Sequence, residues 1–321
     1  MREEEKKPLV IIAGPTAVGK SEAAVALAKK VNGAVISADS MQVYRGMDIG
    51  TAKITKAEMQ GIPHYLIDVL EPEEEFHVVR FQGLAKKALE EIYEMNRLPI
   101  LAGGTGFYIQ ALLYDIDFTE EDPDKAYREE LLRIAEKEGT DALYQMLLER
   151  DPEAAEAIHP NNQKRIIRAL EFQHLSGMPI SLHNQTERQK EAAYRAAFFC
   201  LTRNRKELYE RINARVDEML KKGLLEEVRA LKSRGLRREM VSMQGLGYQE
   251  ILRYLEGEIT LEEAITLIKT GSRHFAKRQL TWMKRERDVI WLDRKEYPET
   301  EALVSKMLRT LEEKGIYDAA G

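Results

Sequence analysis

Two segments near the N-terminus carry side chains whose types and spacing suit chemistry. The first is Gly14-Pro15-Thr16-Ala17-Val18-Gly19-Lys20-Ser21, which fits the pattern G-x-x-x-x-G-K-S. Its glycines let several backbone N–H groups turn inward as an anion nest. A helix opening at Lys20 adds the partial positive charge of its N-terminus. The Lys20 ammonium suits a terminal phosphate and the Ser21 hydroxyl suits Mg²⁺. Such a loop grips a diphosphate or triphosphate without requiring a nucleotide. The second segment is Asp39-Ser40-Met41-Gln42-Val43-Tyr44. Asp39 is placed to accept a proton, to help hold Mg²⁺, or simply to cap the next element. Asp68, closing Leu66-Ile67-Asp68, is the other candidate for a carboxylate that orders a metal. Gly103-Gly104-Thr105-Gly106 reads either as a plain tight turn or as a third wall of the same crevice.

The surrounding pattern supplies the elements that must position these groups. Leu9–Ala13, Ala34–Ala38, Tyr65–Val69 and Pro99–Ala102 are short apolar runs that predict buried parallel strands. Helices are expected over Lys20–Val31 and over Val79–Met95, the second with Leu84, Ala88, Ile92 and Met95 on one face. The phosphate loop therefore lies between a strand and a helix, and Asp39 and the glycine turn both follow strand ends. In open α/β sheets those carboxyl ends line the ligand crevice. The alternation predicts an α/β fold: a P-loop NTPase-like parallel sheet core with helices on both faces. Glu120-Glu121-Asp122-Pro123-Asp124 reads as a turn or linker, followed by helix to about Ser176. A strand over Ala196–Leu201 returns to the sheet, and the chain is mostly helical from Lys206 through Trp282. We thus expect a core from residues 1–116 and 196–321 and a helical insertion over 117–195.

The 321 residues are 44% hydrophobic and 32% charged, which suits a sizeable core under a charged surface. A single cysteine, Cys200, excludes a disulfide within the chain and reads as a buried core thiol. No run approaches the length needed to span a bilayer, and Met1–Lys7 leads into no signal-peptide pattern, so a cytoplasmic protein is expected. The net charge of −5 conceals an uneven distribution. Residues 115–156 hold fifteen acidic and five basic side chains, 203–238 hold twelve basic and six acidic, and 273–287 hold six basic and one acidic. The basic runs read as solvated helix faces or as a phosphate-binding surface.

Taken together, these segments resemble the tRNA isopentenyltransferases, or tRNA dimethylallyltransferases. The matching pieces are Ala13–Ser21, Asp39–Tyr44, Gly46-Met47-Asp48-Ile49-Gly50-Thr51-Ala52-Lys53 and Ala102–Tyr108. Later pieces are His159–Arg165 with Arg168–Glu171, Gly245-Leu246-Gly247-Tyr248 and Ala276-Lys277-Arg278-Gln279-Leu280-Thr281-Trp282. The match runs from about residue 9 to residue 293, with no departure at the positions expected to do chemistry. The resemblance implies transfer of the dimethylallyl group from dimethylallyl diphosphate to N6 of an adenine. That adenine is position 37, 3′ of the anticodon, in tRNAs reading codons that begin with U.

The resemblance also implies roles. Gly14 to Ser21 would bind the diphosphate, with Thr16 near the reacting centre and Ser21 on Mg²⁺. Asp39 would be the general base, as its position at a strand end already suggests. Arg211 and Arg215, spaced i, i+4, share one helix face, and the family alignment favours Arg215 for the diphosphate. Asp39, Ser40, Met41 and Gln42 would contact the tRNA, as would Gln163, Lys164, Arg165, Ile166 and Ile167, with Thr105 and Arg128 as single contact points. The basic runs, Arg278 among them, would neutralise RNA phosphates. The partners are then dimethylallyl diphosphate and a tRNA anticodon stem-loop, with no membrane, and a monomer is expected. The competing readings are a P-loop kinase with ATP on the loop, an isopentenyltransferase for free adenine nucleotides, and an RNA-binding or nucleotide-switch module without chemistry.

Overall fold

Pro8–Ala13 (β1) is apolar throughout, and Leu9 to Ala13 are each 0% exposed, which requires cover on both faces of the sheet. The computed structural model, which describes residues 6–118 and 124–318, shows how that cover is made. After β1 come Lys20–Lys30 (α1), Gly33–Ala38 (β2), Lys56–Met59 (α2), His64–Tyr65 (β3), Val78–Glu94 (α3), Leu98–Gly103 (β4) and Gly106–Leu113 (α4). Five helices follow: Lys125–Glu138 (α5), Thr140–Arg150 (α6), Pro152–Ala157 (α7), Gln163–Ser176 (α8) and Ile180–Gln189 (α9). The chain then continues through Arg195–Thr202 (β5), Arg205–Lys221 (α10), Leu224–Ser233 (α11), Tyr248–Leu255 (α12), Leu261–Met283 (α13), Val289–Asp293 (β6) and Thr300–Glu313 (α14).

The six strands form one sheet in the order β3-β2-β4-β1-β5-β6, and every pairing is parallel. The connection through α1 runs from β1 past β4 to β2, and the connection through α3 runs back the other way to β4. Right-handed crossovers in opposite directions put α1 and α3 on opposite faces. The α1 face is filled by Val10, Ile12, Ile100 and Phe199 from the strands and by Leu27, Leu303 and Met307 from α1 and α14. The result is the P-loop-like parallel sheet with helices on both faces that the strand–helix alternation predicts. Cys200 is buried in β5, and burial pushes its thiol up to about 12.

Two expectations need correction. The third strand stops at Tyr65, because Leu66 and Asp68 take left-handed φ values of 62° and 54°. Asp68 is drawn onto the buried Lys53 ammonium at 2.5 Å, where Asp48 and the Tyr44 carbonyl also bond. The apolar face of α3 is Phe81, Ala85, Ala88, Leu89 and Ile92, whereas Met95 caps the helix and is exposed. The chain beyond Trp282 also adds an edge strand, β6, and a covering helix, α14.

The chain divides into two units, Met1–Leu113 with Ala192–Gly321, and Tyr114–Glu191. The second unit is all helix among its described residues and has its own core of Leu131, Leu143, Leu147, Ile166 and Leu170. Asp124 caps α5 through the Tyr127 amide, while the rest of the expected turn, 120–123, lies outside the described residues. No helix among the described residues is long and apolar enough to cross a membrane.

Close approach of β2 and β4 at their carboxyl ends requires a glycine. A Cβ on Gly103 would lie 2.2 Å from the Ala38 carbonyl oxygen, a backbone atom held in the sheet. Gly103→Ala should cost about 1–3 kcal/mol in urea denaturation. Gly83, exposed within α3 and with nothing near its missing Cβ, gives the opposite sign. Gly83→Ala should gain about 0.5–1 kcal/mol in the same assay.

Candidate active site

The sheet order brings three strand ends together. Because β4 lies between β1 and β2, the loop after β1, Asp39 after β2 and the glycine turn after β4 meet at one edge. The Thr105 amide donates to the Ala38 carbonyl at 3.2 Å, fastening the glycine turn beside Asp39. These segments and α10 and α13 enclose a cavity of about 590 Å³. Thr16, Lys20, Ser21, Asp39, Arg215 and Gln279 all line it.

Hydrogen bonds from distant segments hold the phosphate loop in shape. The Thr16 amide donates to Gln279 Oε1 at 3.0 Å, and Gln279 Nε2 donates to the Gly104 carbonyl at 3.0 Å. Gln279 is 7% exposed, and a Cβ on Gly104 would come within 2.1 Å of its Nε2. Gly19 caps α1 and offers no side-chain acceptor, so no cap competes for the first N–H groups of the helix. The Lys20 ammonium folds back onto the Pro15 carbonyl at 2.8 Å. Burial lowers Lys20 to about 8, with the Arg215 guanidinium as the second cause and Asp39 opposing.

The two candidate arginines diverge. Arg215 lines the cavity, and burial pushes its pKa down while Asp39 and Glu58 pull it up. Arg211 instead donates to the Ala17 carbonyl at 3.1 Å and braces the loop from outside. Asp39 Oδ1 accepts from the Met41 and Gln42 amides at 2.8 and 3.2 Å. Its Oδ2 has no hydrogen bond from the described residues and is the available acceptor. Phe76 and Tyr108 form an aromatic wall with ring centroids 5.6 Å apart, and both line the cavity. Burial pushes the Tyr108 phenol well up, so it stays protonated and is no base. Ser21 and Asp39 supply hard oxygen donors of the kind Mg²⁺ takes together with phosphates and water. Asp68, the other candidate carboxylate, is committed to Lys53.

The family model described as IPP transferase matches residues 42–286. The chain belongs to that family. It is 57% identical to the tRNA dimethylallyltransferase of Lachnoclostridium phytofermentans, over 97% of this chain and 99% of that relative. It is similar to the crystal structure of the tRNA isopentenylpyrophosphate transferase from Bacillus halodurans. That match has a TM-score of 0.71 and 46% identity, and covers 97% of this chain and 98% of that one. A eukaryotic dimethylallyltransferase acting on tRNA gives a TM-score of 0.81 at 30% identity, covering 97% of this chain and 79% of that one. The chain is accordingly an enzyme, a transferase.

The residues singled out in the sequence of this IPP transferase fall into two groups. Asp39, Ser40, Met41, Gln42, Thr105 and Arg278 share the cavity with the phosphate loop. Arg128 and Gln163 to Ile167 belong to the helical unit. There Arg128 donates to both oxygens of the buried Glu171 at 3.0 Å. Lys164 and Arg165 are exposed on the first turn of α8, but Ile166 and Ile167 are 0% and 3% exposed in that unit's core. Gln163, Lys164 and Arg165 are the residues of this turn whose side chains are not buried. The basic run 203–238 is neutralised in part: Arg203 pairs with Glu207, Arg234 with Glu71 and Glu73, and Arg238 with Glu256 and Glu258. Sequence reasoning missed Phe76 altogether, and named Tyr108 and Gln279 only as parts of matching segments.

The depressed Lys20 sets a pH test. In the free protein its folded pKa of about 8 lies below the ordinary 10.5. Folding therefore penalises the charged form; the penalty is full below pH 8 and vanishes as pH rises past the ordinary value. An anion requires the charged form. Affinity for inorganic diphosphate should lose up to about tenfold per pH unit above pH 8 from this group, a slope that Lys20→Met lacks in calorimetric titrations. Without anion, Lys20→Met should be more stable than wild type by about 0.5–2 kcal/mol at neutral pH.

Proposed function

We propose that the enzyme transfers the dimethylallyl group of dimethylallyl diphosphate to N6 of the adenine 3′ of the anticodon in tRNAs that read codons beginning with U. The observation that carries this reading is the single cavity in which Lys20, Arg215 and the phosphate loop face the Asp39 carboxylate. The first three match a diphosphate, and the last matches a proton that must be removed.

The exocyclic amine of adenine is a weak nucleophile because its lone pair is delocalised into the ring. It gains strength as its proton leaves. Asp39 Oδ2 takes that proton while N6 bonds to the allylic carbon. The carbon–oxygen bond to the diphosphate breaks, and its electron pair leaves on the diphosphate oxygen. Loop N–H groups, Lys20 and Arg215 stabilise the charge that grows there. Ser21 would hold Mg²⁺, which would supply further positive charge at the leaving group. Thr16 lines the same cavity. The Phe76 and Tyr108 rings offer π-faces to the partly cationic allylic group.

The adenine has to leave the stacked anticodon loop before it can enter such a cavity. Arg278, whose guanidinium lies 5.8 Å from the Phe275 ring centroid, sits on the cavity wall. It also lines a neighbouring groove of about 440 Å³ with His274, Lys277, Thr281, Trp282 and Arg285. Cations beside an aromatic ring suit an unstacked RNA strand.

Asp39→Ala should cut turnover by about 10²–10⁴ while weakening binding of an anticodon stem-loop RNA far less. Turnover within a few-fold of wild type would place the base elsewhere. With labelled dimethylallyl diphosphate, label is expected in the stem-loop; label in AMP instead would replace tRNA by a free nucleotide as acceptor.

A further inference from the structure

Two of the segments that match the family, Gly46–Lys53 and Gly245–Tyr248, supply neither the phosphate loop nor the base. The structure joins them through one carboxylate. Glu227, on α11, accepts the amides of Asp48 and Ile49 on Oε2 at 2.9 and 2.7 Å. Its Oε1 accepts the Gly50 amide at 3.0 Å and the Tyr248 hydroxyl at 2.7 Å. Three consecutive amides thus converge as in an anion nest, but the anion is a side chain roughly 180 residues away in sequence. Tyr248 is 1% exposed, and its ring lies so close to the loop that a Cβ on Gly50 would be 2.5 Å from Cζ.

The inner side of this loop faces the reaction. Gly50, Thr51 and Ala52 line the cavity. Gln42 Nε2 donates to the Thr51 and Ala52 carbonyls at 3.5 Å each, and the Gln42 amide donates to Asp39 Oδ1. An acceptor-only carboxylate is the group that matches four donors. A glutamine at 227 would set its NH₂ against the Asp48 and Ile49 amides in one orientation and against the Gly50 amide in the other.

We propose that Glu227 is a positioning residue for the transfer. By gathering the 48–50 amides and the Tyr248 hydroxyl, it fixes the loop that orients Gln42 where the acceptor purine enters beside Asp39. This rests on the proposed RNA prenyl transfer. Both segments then have a role, since one presents the amides and the other carries the tyrosine that donates to the same carboxylate.

The test is steady-state kinetics of wild type, Glu227→Gln, Gln42→Ala and the double variant with dimethylallyl diphosphate and an anticodon stem-loop RNA. Glu227→Gln should raise KM for the RNA by about tenfold or more, with KM for the diphosphate within about twofold of wild type. Gln42→Ala should show the same split, and the double variant should be no worse than the more impaired single. Additive effects, an unchanged RNA KM, or equal rises in both KM values with a fall in Tm would each overturn the proposal. Should Glu227→Gln fail to fold, Tyr248→Phe removes one donor and keeps the ring. It should give the same split at about threefold, and a wild-type RNA KM in that variant overturns the proposal equally. If wild type transfers no label to RNA, the proposed function itself falls. If wild type transfers and the variants match it, only the role of Glu227 does.

Discussion

The Gln279 side chain joins the two backbone segments on which the site depends. Its oxygen accepts from Thr16 in the phosphate loop, and its nitrogen donates to Gly104 in the turn after β4. Exchanging oxygen and nitrogen would set donor against donor, so both partners fix the amide in one orientation. Each bond contributes about 0.5–1.5 kcal/mol net, but an unpaired amide this deeply buried would cost more than that. The same contact dictates glycine at 104, where any side chain would collide with the bridge. The loop is thereby tied to the turn after β4, and within it the Lys20 ammonium donates to the Pro15 carbonyl at 2.8 Å.

Preorganisation of this kind has an electrostatic cost. Lys20 and Arg215 are both shifted toward neutrality by burial, and the Arg215 charge further disfavours the Lys20 ammonium within the cavity. Asp39 is the counter-charge that acts on both. The sheet and the α1–α14 layer supply the apolar burial that tolerates this arrangement. Cations held ready for a dianion destabilise the empty protein and stabilise charge that appears during reaction, and the two effects have one origin. Arg211 shows the alternative on the same helix face. Pointed outward at the Ala17 carbonyl, it steadies the loop without adding to the repulsion inside.

Much of this was legible in the sequence where the signal is local. The phosphate loop is a contiguous pattern between an apolar run and a helix, and β1, β2, β4 and β5 are apolar runs whose burial on both faces leaves no ambiguity. Leu66-Ile67-Asp68 misled because an apolar run does not reveal left-handed backbone at Leu66 and Asp68, which the Lys53 ion pairs favour. The order of strands, with β4 between β1 and β2, was not legible, since periodicity carries no information about neighbours. Gln279 meets Thr16 across 263 residues, and nothing around either residue announces the other. Phe76 lies in no motif, and Tyr108, though inside the matching segment Ala102–Tyr108, carries no local sign that it meets Phe76 on one cavity.

Charge runs show the same limit from another side. By count, residues 203–238 carry the larger positive surplus, yet Glu71, Glu73, Glu256 and Glu258, all outside the run, neutralise Arg234 and Arg238. That run contributes Arg215 to the site, while several of its other cations tie helices and loops together. On α13 and the turn after it, by contrast, Lys277, Arg278 and Arg285 carry no ion pair among the described residues and share a groove with Trp282. Exposed ion pairs add little stability, and they also withdraw positive potential from the surface. Glutamates therefore offset the positive potential at Arg234 and Arg238, whereas no ion pair among the described residues offsets it at Lys277, Arg278 and Arg285. The side chains on one helical face, rather than the total charge of a segment, give the enzyme a positive surface next to its reaction cavity.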